Sequence, residues 1–422
     1  MKITECVSTI VTVPFSKRYR WRVADSGGIT AVIVELRADN GLVGIGESPC
    51  DFPPAEAFKA LIDASASAIA GEDPFDHERI YKKLLGHHGL YYDRVFAGLA
   101  LSGLDLAIWD LMGKAVGQPL YKLIGGGFYA LVPFVCIVPA EEPEAMAESA
   151  RKAVSEGCRT LYLKYCDDED DLIARLEAIR GAVGPRARIR VDFNQALSPG
   201  FAVKFISKEL ERFDLEAVEQ PCGEEDLDGM RHIRESISIP VIADESAKTF
   251  YHAFNAIRAQ AADIIQVDHY TSDGIWGARK VSGMAEAAGL PVVFHSLGEL
   301  GLNYMKTVHL GAATPNATLD HQTLYDYNSD DVILGGLLKF DRWRMSPPSK
   351  PGLGVDLDKN KIEQYAALYR AHGGLYVTQS SSLAGSGSSI PLISARTSRS
   401  WTGDGVQSSV RPNASSAPVP EK

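Results

Sequence analysis

Six side chains able to gain or lose a proton end six short apolar runs: Lys164, Asp192, Glu219, Asp244, Asp268 and His295. Three carboxylates brought together repel one another unless a cation sits among them, so Asp192, Glu219 and Asp244 are candidate metal ligands. Hard oxygen donors with room for water and substrate suit Mg2+ better than zinc. Any one of these acids alone reads as a solvated strand-end residue or a helix cap; three at successive strand ends point to a metal. Glu245 could take the place of Asp244, because adjacent residues at a strand end can approach the same mouth. An amine near a divalent cation is pushed toward its neutral form, which makes Lys164 a candidate general base. A carboxylate on one imidazole nitrogen fixes the tautomer and leaves the other nitrogen for proton transfer, so Asp268 and His295 read as a dyad. The plainer reading of His295 is a core histidine bonded to backbone. His269, His309 and His321 read as ordinary loop or helix residues.

The runs that carry these groups include Leu161-Tyr-Leu-Lys164, Ala217-Val-Glu219, Val241-Ile-Ala-Asp244 and Ile264-Ile-Gln-Val-Asp268. Amphipathic stretches such as 171–183 and 278–288 separate them. Strand and helix in alternation imply a parallel sheet with helices outside. A repeat running through most of a chain closes most economically as a (β/α) barrel, whose strand ends converge on one mouth. Residues 132–138 open the barrel, and its eighth strand is expected near 317–319. Upstream, residues 1–13 alternate like an edge strand, 30–37 and 41–46 form a hairpin about Asn40-Gly41, and 54–122 is helical, most clearly at 96–116. Residues 15–28 are polar, basic and aromatic, and read as a long loop, either a lid or a surface excursion. As a lid, the loop would touch substrate through Arg18, Arg20, Trp21 and Arg22.

The resulting division is an α+β unit over 1–125, a barrel over 126–340, a C-terminal segment over 341–377 and a Ser-, Gly- and Pro-rich disordered tail over 378–422. With 45% hydrophobic residues among 422, the chain has the composition of a globular protein with a large core. A formal charge of −11 argues against nucleic acid as the main partner. Six cysteines without a Cys-x-x-Cys pair read as reduced thiols in a cytoplasmic protein. No uninterrupted apolar run is expected to span a bilayer, and the first residues lack a signal-peptide profile.

Several motifs carry a family likeness: Ala107-Ile-Trp-Asp-Leu-Met-Gly-Lys-Ala115, Val191-Asp-Phe-Asn-Gln-Ala-Leu-Ser-Pro, Glu219-Gln-Pro, Ala243-Asp-Glu-Ser and a closing Pro351-Gly-Leu-Gly-Val. Over residues 1–372 the chain resembles the enolase superfamily, and within it the mandelate racemase group. The resemblance implies an α+β capping domain over a modified (β/α)8 barrel of the (β/α)7β type, with the C-terminal segment returning to the cap. It implies Mg2+-assisted removal of a proton α to a carboxylate, giving an enediolate held by the metal. Asp192, Glu219 and Asp244 match the metal ligands, His295 with Asp268 the dyad, and Lys164 the second lysine of a Lys-x-Lys motif. Asn194 matches a residue that helps hold the carboxylate or the metal shell. Asp320 matches an eighth-strand acid that hydrogen-bonds the enediolate, although local alignment can put His321 there instead. The first lysine of the motif is Tyr162 here, which offers a hydroxyl to the substrate carboxylate in place of an ammonium.

The expected activity is dehydration of an acid sugar, because Asn194, Tyr165, His269, Tyr270, Ser296, Asp320 and His321 could all bind hydroxyls. Racemisation or epimerisation of a 2-hydroxy acid is the runner-up, and a non-catalytic binding protein of the same fold is a third reading. The partners expected are a small carboxylate substrate and further copies of the chain as a homo-oligomer, with neither nucleic acid nor membrane.

Overall fold

A computed structural model describes residues 1–22, 24–50 and 54–378. The stretch expected to be a disordered tail lies outside the described residues, apart from Thr378. The N-terminal unit is an antiparallel sheet of β1 (Ile3–Trp21), β2 (Ala24–Ala38) and β3 (Val43–Pro49), with β2 paired to both of the others. Helices α1 (Ala55–Ile69), α2 (His77–Gly86) and α3 (Arg94–Ala115) follow. β3 and α3 pack backbone to backbone: a Cβ at Gly44 or Gly46 would stand 2.0 Å from the carbonyl oxygens of Ala107 or Gly103. Only glycine permits that approach. Among the described residues α3 is the one helix long and apolar enough to cross a membrane, but 83% of its apolar window is buried inside the protein. Its apolar surplus is core: Leu101, Leu104, Leu106 and Leu111 are fully buried, each contributing roughly 2 kcal/mol by burial.

After α4 (Leu120–Leu123) and β4 (Val132–Pro133), strands and helices alternate as β5 (Cys136–Ile137), α5 (Pro143–Ser155), β6 (Thr160–Lys164), α6 (Glu169–Val183), β7 (Arg188–Asp192), α7 (Pro199–Phe205), β8 (Ala217–Glu219), α8 (Leu227–Ser236), β9 (Val241–Ala243), α9 (Phe250–Arg258), β10 (Ile264–Val267), α10 (Gly274–Ala287), β11 (Val292–Phe294) and α11 (Gly301–Ala313). Among the described residues β5 to β11 form one parallel sheet in chain order. The sheet closes through residues 320–322: Gln322 N–H donates to the Phe294 carbonyl, His321 N–H to that of Pro133, and Val135 N–H to that of His321. The architecture is a modified (β/α)8 barrel with an N-terminal α+β cap. Its closing strand lies about three residues beyond the expected 317–319. β12 (Arg344–Met345) pairs with β4, and after α12 (Lys359–His372) β13 (Tyr376–Thr378) pairs with β2 in the cap.

Buried carboxylates of the cap fasten it to the barrel. Glu47 on β3 accepts from the N–H groups of Leu300 and Asn303 at the start of α11, at 2.8 and 2.9 Å. Asp105 on α3 accepts from Ile275 N–H at the start of α10, at 2.9 Å. A helix N-terminus leaves N–H groups without partners and favours negative charge. These two contacts fix the helices that follow the strands bearing Asp268 and His295.

The stretch 15–28, expected as a loop, is instead the tip of the β1–β2 hairpin. Its pairing slips between Pro14 and Tyr19 and resumes at Tyr19–Ser26, Arg20–Asp25 and Trp21–Ala24.

Candidate active site

β7, β8 and β9 lie side by side, with Asp192 opposite Glu219 in register and Asp244 following Ala243. The three carboxylates are buried. Lys164 Nζ and the Tyr162 hydroxyl reach Asp192 Oδ2 at 2.5 and 2.8 Å, and Asn194 N–H reaches Oδ1 at 2.8 Å. The hydrogen-bond donors around Glu219 are all neutral: the Tyr162 hydroxyl at 2.7 Å, Gln266 Nε2 at 3.0 Å and Gln322 Nε2 at 3.1 Å. Burial, and then the Asp192 and Asp244 charges, push the Glu219 carboxyl well above its ordinary pKa. The Tyr162 hydroxyl thus lies between two carboxylates, Asp192 and Glu219, and its oxygen accepts from Gln322 Nε2 at 2.9 Å. Glu245 lines the same space. It accepts from Asn194 Nδ2 at 3.2 Å, and its buried Oε2 has no partner. Burial and the neighbouring Asp244 raise its pKa to about 8.

Among the described residues no group of three His, Cys, Asp or Glu side chains is already gathered to hold a metal ion. The Lys164 ammonium sits on Asp192, and only neutral donors reach Glu219. The donor set still fits a hard divalent cation, because its carboxylates outnumber the cations beside them and Glu245 Oε2 is unpartnered. Gln220 holds this arrangement from below, its Oε1 accepting from the N–H groups of Asp244 and Ser246 at 3.1 and 3.0 Å.

His295 follows β11, with Nδ1 3.6 Å from Asp268 Oδ2 and Nε2 3.8 Å from Asp244 Oδ2. These are ion-pair separations, longer than a formed hydrogen bond. Burial opposes charge on the imidazole, but Asp244 and Asp268 outweigh it and raise its pKa to about 9. Burial alone would raise the Asp268 pKa, yet His295 and the N–H groups of Tyr270 and Thr271 bring it below the ordinary value. Lys164 is likewise buried against its charge, and Asp192 holds its pKa well above the usual amine value.

Lys164, Asn194, Asp244, Glu245, Asp268 and His295 border a cavity of about 440 Å³, while Asp192 and Glu219 are outside its lining. The hairpin tip forms one wall through Phe15, Tyr19, Trp21 and Arg22, and Leu99 and Leu324 add apolar surface. Lys164 Nζ lies 5.7 Å from the centre of the Trp21 ring, within cation–π range. Arg22 bridges Asp167 and the Asn194 carbonyl at 2.7 and 3.3 Å.

Five expected substrate contacts lie elsewhere. Arg20 pairs with Asp25 and is outside the cavity lining, as is Arg18. Tyr162 is fully buried beneath the carboxylates and does not line the cavity, so its hydroxyl serves Asp192 and Glu219. Asp320 lies at the opposite end of the barrel, bonded to Arg159, Thr160 and Arg188, all at strand starts. His321 packs there between Phe134 and Phe294, and burial lowers its pKa to about 3. Both entered the expectation through the misplaced closing strand. Tyr165, His269 and Tyr270, read as hydroxyl binders, are also absent from the cavity lining.

Sequence reasoning missed Tyr19, Gln266, Lys248 and Gln322. Gln266 carried a usable signal, an amide in mid-strand among β-branched residues. Gln322 became readable only once the closing strand was correctly placed.

Residues 10–125 match the mandelate racemase/muconate lactonizing enzyme N-terminal domain, and 145–361 the enolase C-terminal domain-like family. The chain belongs to the mandelate racemase/muconate lactonizing enzyme family. It is 30% identical to the L-Ala-D/L-Glu epimerase of Bacillus subtilis, over 84% of this chain and 97% of that protein. The dipeptide epimerase of Enterococcus faecalis, solved with Mg and the dipeptide L-Leu-L-Tyr, superposes with a TM-score of 0.78 at 27% identity. That alignment covers 84% of this chain and 100% of the other. Arabinonate dehydratase of Saccharolobus solfataricus is 27% identical over 79% of this chain and 90% of its own. Enzymes of the family bind a divalent metal, and its members here include both isomerases and dehydratases.

Proposed function

We propose that this protein is a divalent-metal-dependent racemase or epimerase, moving a proton at the carbon next to a substrate carboxylate. Asp192, Glu219 and Asp244 would hold the ion, with Glu245 beside them. Mg2+ would supply Lewis-acid stabilisation of the charge that builds up on the carboxylate as the α-proton leaves. The observation that carries the reading is topological: β6 and β11 flank the carboxylate-bearing strands, and Lys164 and His295 border one cavity from those two sides. Two proton carriers on either side of one carbon suit removal on one face and return on the other. Asp268 orients the imidazole and balances its charge. The aromatic and apolar wall of Phe15, Tyr19, Trp21 and Leu324 suits an acylated amino acid or a dipeptide better than a bare sugar acid.

Dehydration is the second reading, favoured by one observation. His295 lies between the Asp244 and Asp268 carboxylates, 3.8 and 3.6 Å away, which favours its charged form, as an acid for a departing β-hydroxyl requires. The test is incubation in D2O with Mg2+ and a panel of dipeptides, N-acyl amino acids, 2-hydroxy acids and acid sugars. Deuterium at the α-carbon with inversion and no loss of groups is the expected result. A 2-keto acid product would establish dehydration instead, and a panel that takes up no deuterium at all would overturn both readings.

A further inference from the structure

A second groove, of about 700 Å³, runs beside the barrel between α5 and the chain from 325 to 343. We propose that this groove binds a small hydroxylated anion and that its occupant is sensed by the catalytic lid. The charge of the groove supports an anion. Lys152, Lys339 and Arg342 line it without an ion-pair partner among the described residues, facing one similarly unpaired carboxylate, Glu156. Lys17 is already matched, its Nζ 2.8 Å from Asp326 Oδ2.

Two buried acceptors call for donors on the ligand. Asn328 is 4% exposed, its Nδ2 is committed to the Glu299 carbonyl at 2.8 Å, and its Oδ1 has no partner. Asp326 Oδ1 is likewise buried without a partner. Unpartnered buried acceptors are costly and call for an explanation; hydroxyls on a bound anion provide one. Arg342 and Trp343, in the groove wall, both have left-handed backbones, with φ of 51° and 58°. Two successive non-glycine residues there store strain, which clusters at ligand sites.

The groove and the catalytic cavity share a wall. Leu324 faces the cavity, whereas Tyr325, Asp326 and Asn328 face the groove. Asn328 also bridges to Phe15 of β1, and Lys17 stands 3.9 Å from the centre of the Tyr327 ring, which packs edge-on against Phe15 and Tyr19. A ligand at Asp326 and Asn328 therefore presses on the backbone that seats the lid.

Titration calorimetry of the full chain with hydrogenphosphate, L-tartrate and sulfate tests the site. Hydrogenphosphate or tartrate should bind saturably, at least tenfold more weakly in Lys339→Gln/Arg342→Gln, and slow amide exchange over residues 15–21 and 324–328. Sulfate, which offers no donor, should bind more weakly than hydrogenphosphate. All the substituted side chains are exposed, and Lys152→Gln provides a separate variant should the double one lose its fold. The proposal is overturned if neither anion binds, if the variants keep full affinity, or if sulfate equals hydrogenphosphate.

Discussion

Asp320 and Glu219 are both buried carboxylates of the barrel, each about 1% exposed, and their surroundings differ in kind. Around Asp320 the chain provides the counter-charge itself, through Arg159 and Arg188, with Thr160 filling a further acceptor position and Arg190 bonding the carbonyl. The hydrogen-bond donors around Glu219 are all neutral, and its nearest ionised neighbours are other acids, with Lys164 drawn to Asp192 instead. A barrel end closed by its own guanidinium groups is a structural joint. A mouth left short of positive charge is a place where a cation from solution can bind with effect.

The largest effect that would test this contrast is on turnover. Glu219→Gln should lower Mg2+-dependent α-proton exchange by about a thousandfold or more, measured by NMR in D2O, with metal-free stability unchanged or higher. Retained exchange would mean that the mouth holds no essential ion. Asp320→Asn should do the reverse, losing about 1.5–3 kcal/mol in urea unfolding because the charged hydrogen bonds from Arg159 and Arg188 to a buried carboxylate are weakened, while exchange per folded molecule stays near wild type. Binding of Mg2+ should stabilise the wild type by about 2.7 kcal/mol at a hundred times its Kd, read as a rise in Tm. The rise should vanish in Asp192→Asn and persist in Asp320→Asn.

The smallest effect is in pH. His321 and His309 are buried neutral, with pKa values lowered by burial to about 3 and about 4 from an ordinary 6.5. The unfolded chain takes up protons first as pH falls below about 6.5, so their contribution is complete above that value and drains toward pH 4 and 3. Each histidine should cost up to about 1.4 kcal/mol per pH unit in that window, but Glu245 and Glu219, raised by burial, act in the opposite sense there. The effect is therefore read as the difference in urea stability between wild type and His309→Gln/His321→Gln. A difference that stays flat between pH 6.5 and 5 would show that these rings are not buried neutral.

The mouth was legible because its residues are read by a local rule: a β-branched run, then a chargeable side chain. Lys164, Asp192, Glu219, Asp244, Asp268 and His295 all obey it. The closing strand obeys no such rule, since residues 320–322 are Asp-His-Gln and gain their strand character only from Pro133 and Phe294. That error carried Asp320 and His321 to the wrong end of the barrel. The lid was legible only in part: Trp21 and Arg22 line the cavity as expected, whereas Tyr19 was missed because the pairing slips between Pro14 and Tyr19 in place of simple alternation. Tyr162 was found but misassigned, because its partners come from β7, β8 and the closing strand, and no spacing in one strand reports them.

Glu47 and Asp105 have a consequence for how this protein can be taken apart. Each cap acid occupies the start of a barrel helix, so a chain cut near residue 125 would leave α10 and α11 with bare N–H groups facing a vacated interface. Cap and barrel are thus joined through buried contacts, and the helices behind the dyad are fastened by a strand and a helix that contribute no atom to it. Exchanging caps between relatives would transplant a lid only if the two acids travelled with it, which makes them the natural joints for recombination within this fold.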